Sequence, residues 1–331
     1  MAASDLNNPA TGSPHPSQVP LTQQPKPEPK SYLVQKFAKI PLGPIHVIGY
    51  SVAGEESVIQ VPELDVCFDI GRAPAFALTS NILCISHGHM DHLAGLAYYL
   101  SQRHFQGMKP GTVLVPAGIA KFVDELLRSW RNIERQKTPY ILVPMEPGQT
   151  HEVRRDFVIR AMETHHNGDS LGYALVSVRE KLKAEYHGIP GQELAAMKKR
   201  GIEIQYKLEV PLVTYLGDTA AGPVFKNPDV VNAEVLLTEC TFYERDHIQR
   251  SKAGRHLHLD QLADILPTLK NRHVVLLHVS RRTGVRKARG YLRRRIGEEL
   301  LRNVQFLMDF DGSVEGGDVE EAGPPMSDTA E

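Results

Sequence analysis

Ser86-His87-Gly88-His89-Met90-Asp91-His92 closes the apolar run NILCIS (81–86) and sets the reading of the whole chain. Four ligand-type side chains fall within six residues. His87 and His89 are two apart, so in extended chain their imidazoles point the same way. Asp91 and His92 follow where the chain turns into a helix, since Leu93, Leu96, Ala97 and Leu100 of HLAGLAYYLSQ share one helical face. Strand ends are where α/β proteins place ligands and catalytic groups. Imidazole with carboxylate suits Zn²⁺, with Mn²⁺ or Fe as alternatives, and four such groups on a rigid strand end can address two adjacent metals.

Two metals need further ligands, and the sequence supplies them downstream. His165-His166 end the strand pattern FVIRAMET, Asp218 sits in LGDT after VTYLG, and His278 ends the very apolar VVLLH. Each stands at a strand end, as His87 does. The doublet leaves His165 and His166 both open as ligands.

Around these residues, short β-branched runs alternate with helical patterns. HVIGYS, ESVIQV, DVCFDI, NILCIS, TVLVP and YILVPM read as strands, and so do DFVIRAM, GYALVSV, LVTYLG, EVLLTE, HVVLLHVS and VQFLMDF. Helical periodicity recurs in AGIAKFVDELLRSWRNI and in LDQLADILPTL, where Asp260 is a plausible N-cap. This order suggests an α/β fold of two packed sheets flanked by helices, in four layers. Residues 1–30 are rich in Pro, Ser, Gln and Asn and read as disordered, as does the acidic tail at 312–331. The predicted domain spans 31–311. Within it, 177–207 is Lys/Glu-rich with a GIPG turn, and reads as an insertion or protruding arm.

A chain of 331 residues can bury a large core. No apolar run approaches the ~20 residues of a membrane span, and no charged-then-apolar export segment opens the chain. Cys67, Cys84 and Cys240 form no C-x-x-C pair and lie in apolar runs, so buried reduced thiols and a cytoplasmic location are expected. The net charge of −1 gives no overall bias toward nucleic acid. The acid-free run RRTGVRKARGYLRRR (281–295) is the exception. It reads either as a solvated helix face or as a phosphate-binding surface close to His278, through Arg281, Arg282, Arg286 and Lys287.

The order H-x-H-x-D-H, then His, then GDT, then His resembles the metallo-β-lactamase superfamily. The likeness is closest to its ribonuclease Z branch, the tRNA 3′-processing endonucleases, in the short form found in plants. FDIGR (68–72), SHGHMDHLAGL (86–96), VPAGI (115–119), THH (164–166), LGDT (216–219), ECTF (239–242), RHLH (255–258) and HVSRRT (278–283) carry it, from about residue 32 to 310. The resemblance implies the metallo-β-lactamase fold, a four-layer αββα sandwich of two mixed sheets, with two zinc ions per subunit. By position, His87, His89 and His166 would hold one zinc and Asp91, His92 and His278 the other, with Asp218 bridging. Asp69 would support the ligand histidines. Glu239 would hold His256, or alternatively His258, as proton donor to the departing ribose oxygen. Asp91 would also assist in activating the water. RNA, as precursor tRNA with a 3′ trailer, is the implied substrate, gripped by the arm through Lys181 and Lys183, in a homodimer whose arms serve each other's sites. Three departures bear on the substrate: FDIGR in place of an acidic ending, SVAGEES in place of a richer glycine turn, and an arm without a glycine-rich tip. A hydrolase of a small ester, lactone, thioester or phosphodiester is the competing reading.

Overall fold

The computed structural model describes residues 36–166 and 168–310. The two tails expected to be disordered lie outside these residues. The first sheet contains, in spatial order, β1 (Ala38–Leu42), β2 (Ile45–Val52), β3 (Glu56–Val61), β4 (Val66–Phe68), β5 (Ile82–Cys84), β6 (Gly111–Pro116) and β7 (Tyr140–Met145). The second contains β8 (Thr150–Arg154), β9 (Phe157–Glu163), β10 (Leu171–Leu182), β11 (Gln205–Tyr215), β12 (Val235–Glu239), β13 (His273–Leu277) and β14 (Val304–Phe306), again in chain order. Both sheets follow one plan. Their first four strands pair antiparallel, and the pairings from the fourth strand to the seventh are parallel.

The apolar runs follow from burial on both faces. Val235 and Leu237 of β12, with Val275 and Leu277 of β13, enter the core shared by the two sheets. Leu236, Val274 and Leu276 face the other way, into a cluster completed by the helices Leu259–Ile265 and Val285–Leu301. A strand covered on both sides has no solvent face to mark with polar residues. The helices Leu96–Phe105 and Ala117–Glu134 cover the first sheet in the same way, through Leu96, Leu100, Val123 and Leu127. These are the four layers expected.

Several elements depart from the sequence reading. The helix expected over HLAGLAYYLSQ divides into Met90–Leu93 and Leu96–Phe105. At the break, Gly95 rests on the backbone of Arg72 and Ala73, where a β-carbon would lie 2.4 Å from Ala73 N. The N-cap of Leu259–Ile265 is His258 rather than Asp260. The His258 side chain accepts from Asp260 N, and Gln261 reaches back to the His258 N–H. Asp260 therefore falls inside the first turn. Strands β1 and β8 carry little strand signal, because AKIPL contains a proline and THEVR is largely polar.

The 177–207 segment comprises the outer halves of β10 and β11, paired from Ser177↔Val210 to Leu182↔Gln205. A helix at Gly191–Lys199 with no buried residue joins them. The three cysteines are buried and unpaired. No helix among the described residues is long and apolar enough to cross a membrane.

Replacing Leu237, fully buried between the sheets, by alanine should lower unfolding free energy by about 2–5 kcal/mol. Denaturant melts of the two proteins measure this; an unchanged midpoint would contradict the packing described.

Candidate metal centre

The candidate ligands gather where strands end. His87 follows β5, His166 follows β9, Asp218 follows β11 and His278 follows β13. The two sheets are tied together here, because Leu171 N donates to Ser86 O at 2.9 Å. His89 caps the short helix that carries Asp91 and His92. His278 holds a left-handed φ of 58° and Asp69 one of 51°. Such conformations cost about 1–3 kcal/mol each and persist only where the surroundings fix them.

The side chains converge on one carboxylate oxygen. Asp218 Oδ2 lies 3.4 Å from His92 Nε2, 3.5 Å from His278 Nε2, and 3.8 Å from both His87 Nε2 and His166 Nε2. His89 Nδ1 stands 2.9 Å from His87 Nε2 and 3.3 Å from His166 Nε2. Asp91 Oδ2 is 3.4 Å from His278 Nε2 and 3.7 Å from His92 Nε2. The candidate ligands fall into two groups, His87–His89–His166–Asp218 and Asp91–His92–His278, each with its ligand atoms within 4.8 Å of one another, and Asp218, His256 and His278 form a further such group that overlaps both. Asp218 occupies the position between the first two. His165 is exposed and belongs to none of them; His166 is buried in the first.

The outward nitrogens settle which face of each ring is free. His92 Nδ1 meets Asp69 Oδ2 at 2.7 Å, and His166 Nδ1 meets Arg255 O at 3.2 Å. Both partners can only accept. His87 Nδ1 meets Ser86 Oγ, which itself donates to Asp69 Oδ2. His278 Nδ1 meets Thr241 Oγ1, which donates to Glu239 Oε2. All four rings therefore carry their proton on Nδ1 and turn the Nε2 lone pair inward, as metal-ligating histidines do.

This donor set fits a pair of divalent cations. His92 Nε2 is fully buried and has no hydrogen-bond partner, a costly state unless something else uses its lone pair. Burial opposes charge on Asp218, but the surrounding imidazoles, His278 first, hold its pKa well below the carboxylate range. A buried carboxylate ringed by inward-facing imidazole nitrogens is a donor set that suits a divalent cation.

Two buried carboxylates brace the ligands from behind. Asp69 accepts from Ser86 N, Ser86 Oγ, His92 Nδ1 and Tyr215 OH at 2.5–2.7 Å. Glu239 accepts from Thr219 N at 2.7 Å, Thr241 Oγ1 at 2.6 Å, Leu257 N at 3.2 Å and His256 Nδ1 at 2.9 Å. His256 stacks on His278, with ring centroids 5.3 Å apart, and is slightly exposed at the rim. Burial pulls its pKa down, but Glu239 outweighs it and lifts the imidazole to about 9. His258 is used differently: besides capping its helix it meets Glu244 O at 3.0 Å, so both of its nitrogens are engaged away from the centre.

Of the candidate phosphate-binding residues, Arg281 pairs with Glu55. Arg282, in the turn before the helix Val285–Leu301, and Arg286 and Lys287 in its first turn are exposed, with no ion pair among the described residues. Lys183 pairs with Glu203 at 3.2 Å on the hairpin, and Lys181 is exposed. Ser86, Thr219 and Thr241 join the site without having been expected in it, although they lie inside the quoted motifs. Tyr215 gives no signal beyond an aromatic in a strand, because its role depends on a partner 146 residues away.

A family model described as "Beta-lactamase superfamily domain" matches residues 79–279. The chain is 35% identical over 244 residues to "tRNase Z TRZ2, chloroplastic" of Arabidopsis thaliana, covering 73% of this chain and 69% of that protein. It is 34% identical over 242 residues to "tRNase Z TRZ1" of the same plant, covering 72% and 86%. The crystal structure of human tRNase Z, short form, aligns with a TM-score of 0.51 at 17% identity over 71% of this chain and 93% of that one, a likeness of fold.

Tyr215→Phe removes one donor from the buried Asp69 and should cost about 1.5–3 kcal/mol, the range for hydrogen bonds to charged groups. Equilibrium unfolding reads this directly, and a variant as stable as the parent would refute the bracing role of Asp69.

Proposed function

The chain belongs to the ribonuclease Z family of the β-lactamase superfamily, and from that premise we propose that it is a zinc-dependent endoribonuclease removing 3′ trailers from precursor tRNA. It is a hydrolase of the metallo-β-lactamase fold. The observation that carries the RNA reading is the Glu239–His256 pair at the rim of the centre. Hydrolysis of an RNA phosphodiester expels a ribose 3′-oxygen, a poor leaving group that needs a proton.

In this reading His87, His89 and His166 hold one zinc, Asp91, His92 and His278 hold the second, and Asp218 lies between them. When bound, the metals supply charge neutralisation at the phosphate and water activation at neutral pH. Glu239 fixes His256 through Nδ1, leaving Nε2 to carry a proton to the departing oxygen. Asp91, partly open to solvent, orients the attacking water in addition to its ligand role. Cleavage in this sense leaves a 3′-hydroxyl on the tRNA. The sequence supports, by family, a homodimer in which the 177–207 hairpin serves the partner's site. Lys181, Lys183, Arg282, Arg286 and Lys287 bind backbone phosphates, while Arg281 is already engaged by Glu55. The buried, unpaired cysteines support a cytoplasmic location.

His256→Ala should lower kcat on a precursor tRNA by about 10²–10⁴-fold, the usual contribution of a general acid. The same variant should hydrolyse bis(p-nitrophenyl) phosphate at near the parental rate, since nitrophenolate departs without a proton. Equal losses on both substrates would remove the proton-donor role, and RNA left uncut beside rapid ester or lactone turnover would favour the small-substrate reading. Lys181→Ala with Lys183→Ala should raise KM for the tRNA and flatten its salt dependence by about two phosphate contacts; an unchanged salt slope in binding assays would exclude the hairpin from the RNA interface.

A further inference from the structure

The turn SVAGEES (51–57), which departs from the family pattern, bonds directly to two members of one ligand group and is linked to the third through Glu56. Gly54 N donates to Asp91 Oδ2 at 3.0 Å. Ser51 Oγ accepts from His278 N at 3.0 Å, and Val52 forms a bridge with Val279. Beside that bridge Glu55 binds Arg281, with Nη2 to Oε2 at 2.7 Å, and Tyr50 OH donates to the same carboxylate. The third ligand is reached through a neighbouring turn. Buried Glu56 accepts from Arg72 N at 2.8 Å and Arg72 Nε at 2.9 Å. The turn this holds donates from Ile70 N and Gly71 N to His92 O, at 2.9 and 3.2 Å. The other departure, the arginine that ends FDIGR, is therefore the partner of Glu56 in SVAGEES.

Among the described residues no corresponding bond runs from this hairpin to His87, His89 or His166. The asymmetry is specific to one of the two groups, and it falls on ligands drawn from both sheets. Asp91 and His92 follow β5 of the first sheet and His278 follows β13 of the second, so their spacing depends on something that spans the two.

We propose that the β2–β3 hairpin is a clamp that sets the metal affinity of the Asp91–His92–His278 group and leaves that of the His87–His89–His166 group unaffected. Ser51, Glu55, Glu56, Arg72 and Arg281 are positioning residues in this clamp. It rests on the two-group ligand reading above. Partners that orient metal ligands are typically worth about 10–100-fold in metal affinity.

The test is competitive titration of the metal-stripped full-length protein with zinc against a chromophoric chelator, resolving two equivalents. Ser51→Ala deletes the acceptor for His278 N, and Arg281→Ala removes a largely exposed side chain. Each should weaken one equivalent about tenfold and spare the other, with Arg281→Lys restoring part of the loss. In a His89→Ala background the equivalent that remains should be the one Arg281→Ala weakens. Parallel weakening of both equivalents, or of neither, would overturn the clamp while the ligand groups stood. A parent protein that takes up fewer than two equivalents would overturn the ligand reading and the clamp with it.

Discussion

Asp69 sits where no water reaches it and accepts four hydrogen bonds, two from Ser86 and one each from His92 and Tyr215. An unpaired carboxylate in that position would be untenable, and the four donors are what make it stable. Because Ser86 spends its hydroxyl proton on Asp69, it can only accept from His87. One buried carboxylate thus fixes the tautomers of two candidate ligand histidines on different elements. Glu239 repeats the device at the other side, through Thr241 to His278 and directly to His256. The chemistry of the centre depends on these two carboxylates as much as on the ligands themselves.

The sandwich makes such bracing possible by bringing strand ends together from two sheets of the same plan. Strands covered on both faces leave the chain free to vary mainly beyond their termini, and the candidate ligands are found there, after the parallel β5 and β13, after β11 and after the antiparallel β9. The backbone is bent to suit. Asp69 and His278 adopt left-handed conformations that are uncommon outside glycine, and both are surrounded by the hydrogen bonds that hold them.

Much of this is legible in the sequence because candidate ligands announce themselves by type and local spacing. The hexad from His87 to His92, His166 in its doublet, and Asp218 and His278 at strand ends all stand out in the chain alone. The two-sided apolar strands β12 and β13 are equally plain, while β1 and β8 are hidden by a proline and by polar composition. What escapes a sequence reading depends on contacts distant along the chain. Tyr215 reaching Asp69, Gly54 reaching Asp91 and Ser51 reaching His278 have no local pattern. The His258 cap is hidden for another reason: a histidine near an aspartate draws the capping role to the commoner residue, and here the imidazole takes it.

In the proposed reading, Glu239 and His256 are what set this centre apart from other hydrolases of the fold, because a proton donor at the rim matters most for a leaving group as poor as a ribose oxygen. The most direct measurement is end-mapping of a precursor tRNA with a 3′ trailer after incubation with the zinc-loaded protein. A single cut at the trailer junction that leaves a 3′-hydroxyl on the tRNA is the result the assignment requires. An intact precursor, or scattered cuts leaving 3′-phosphates, would contradict it.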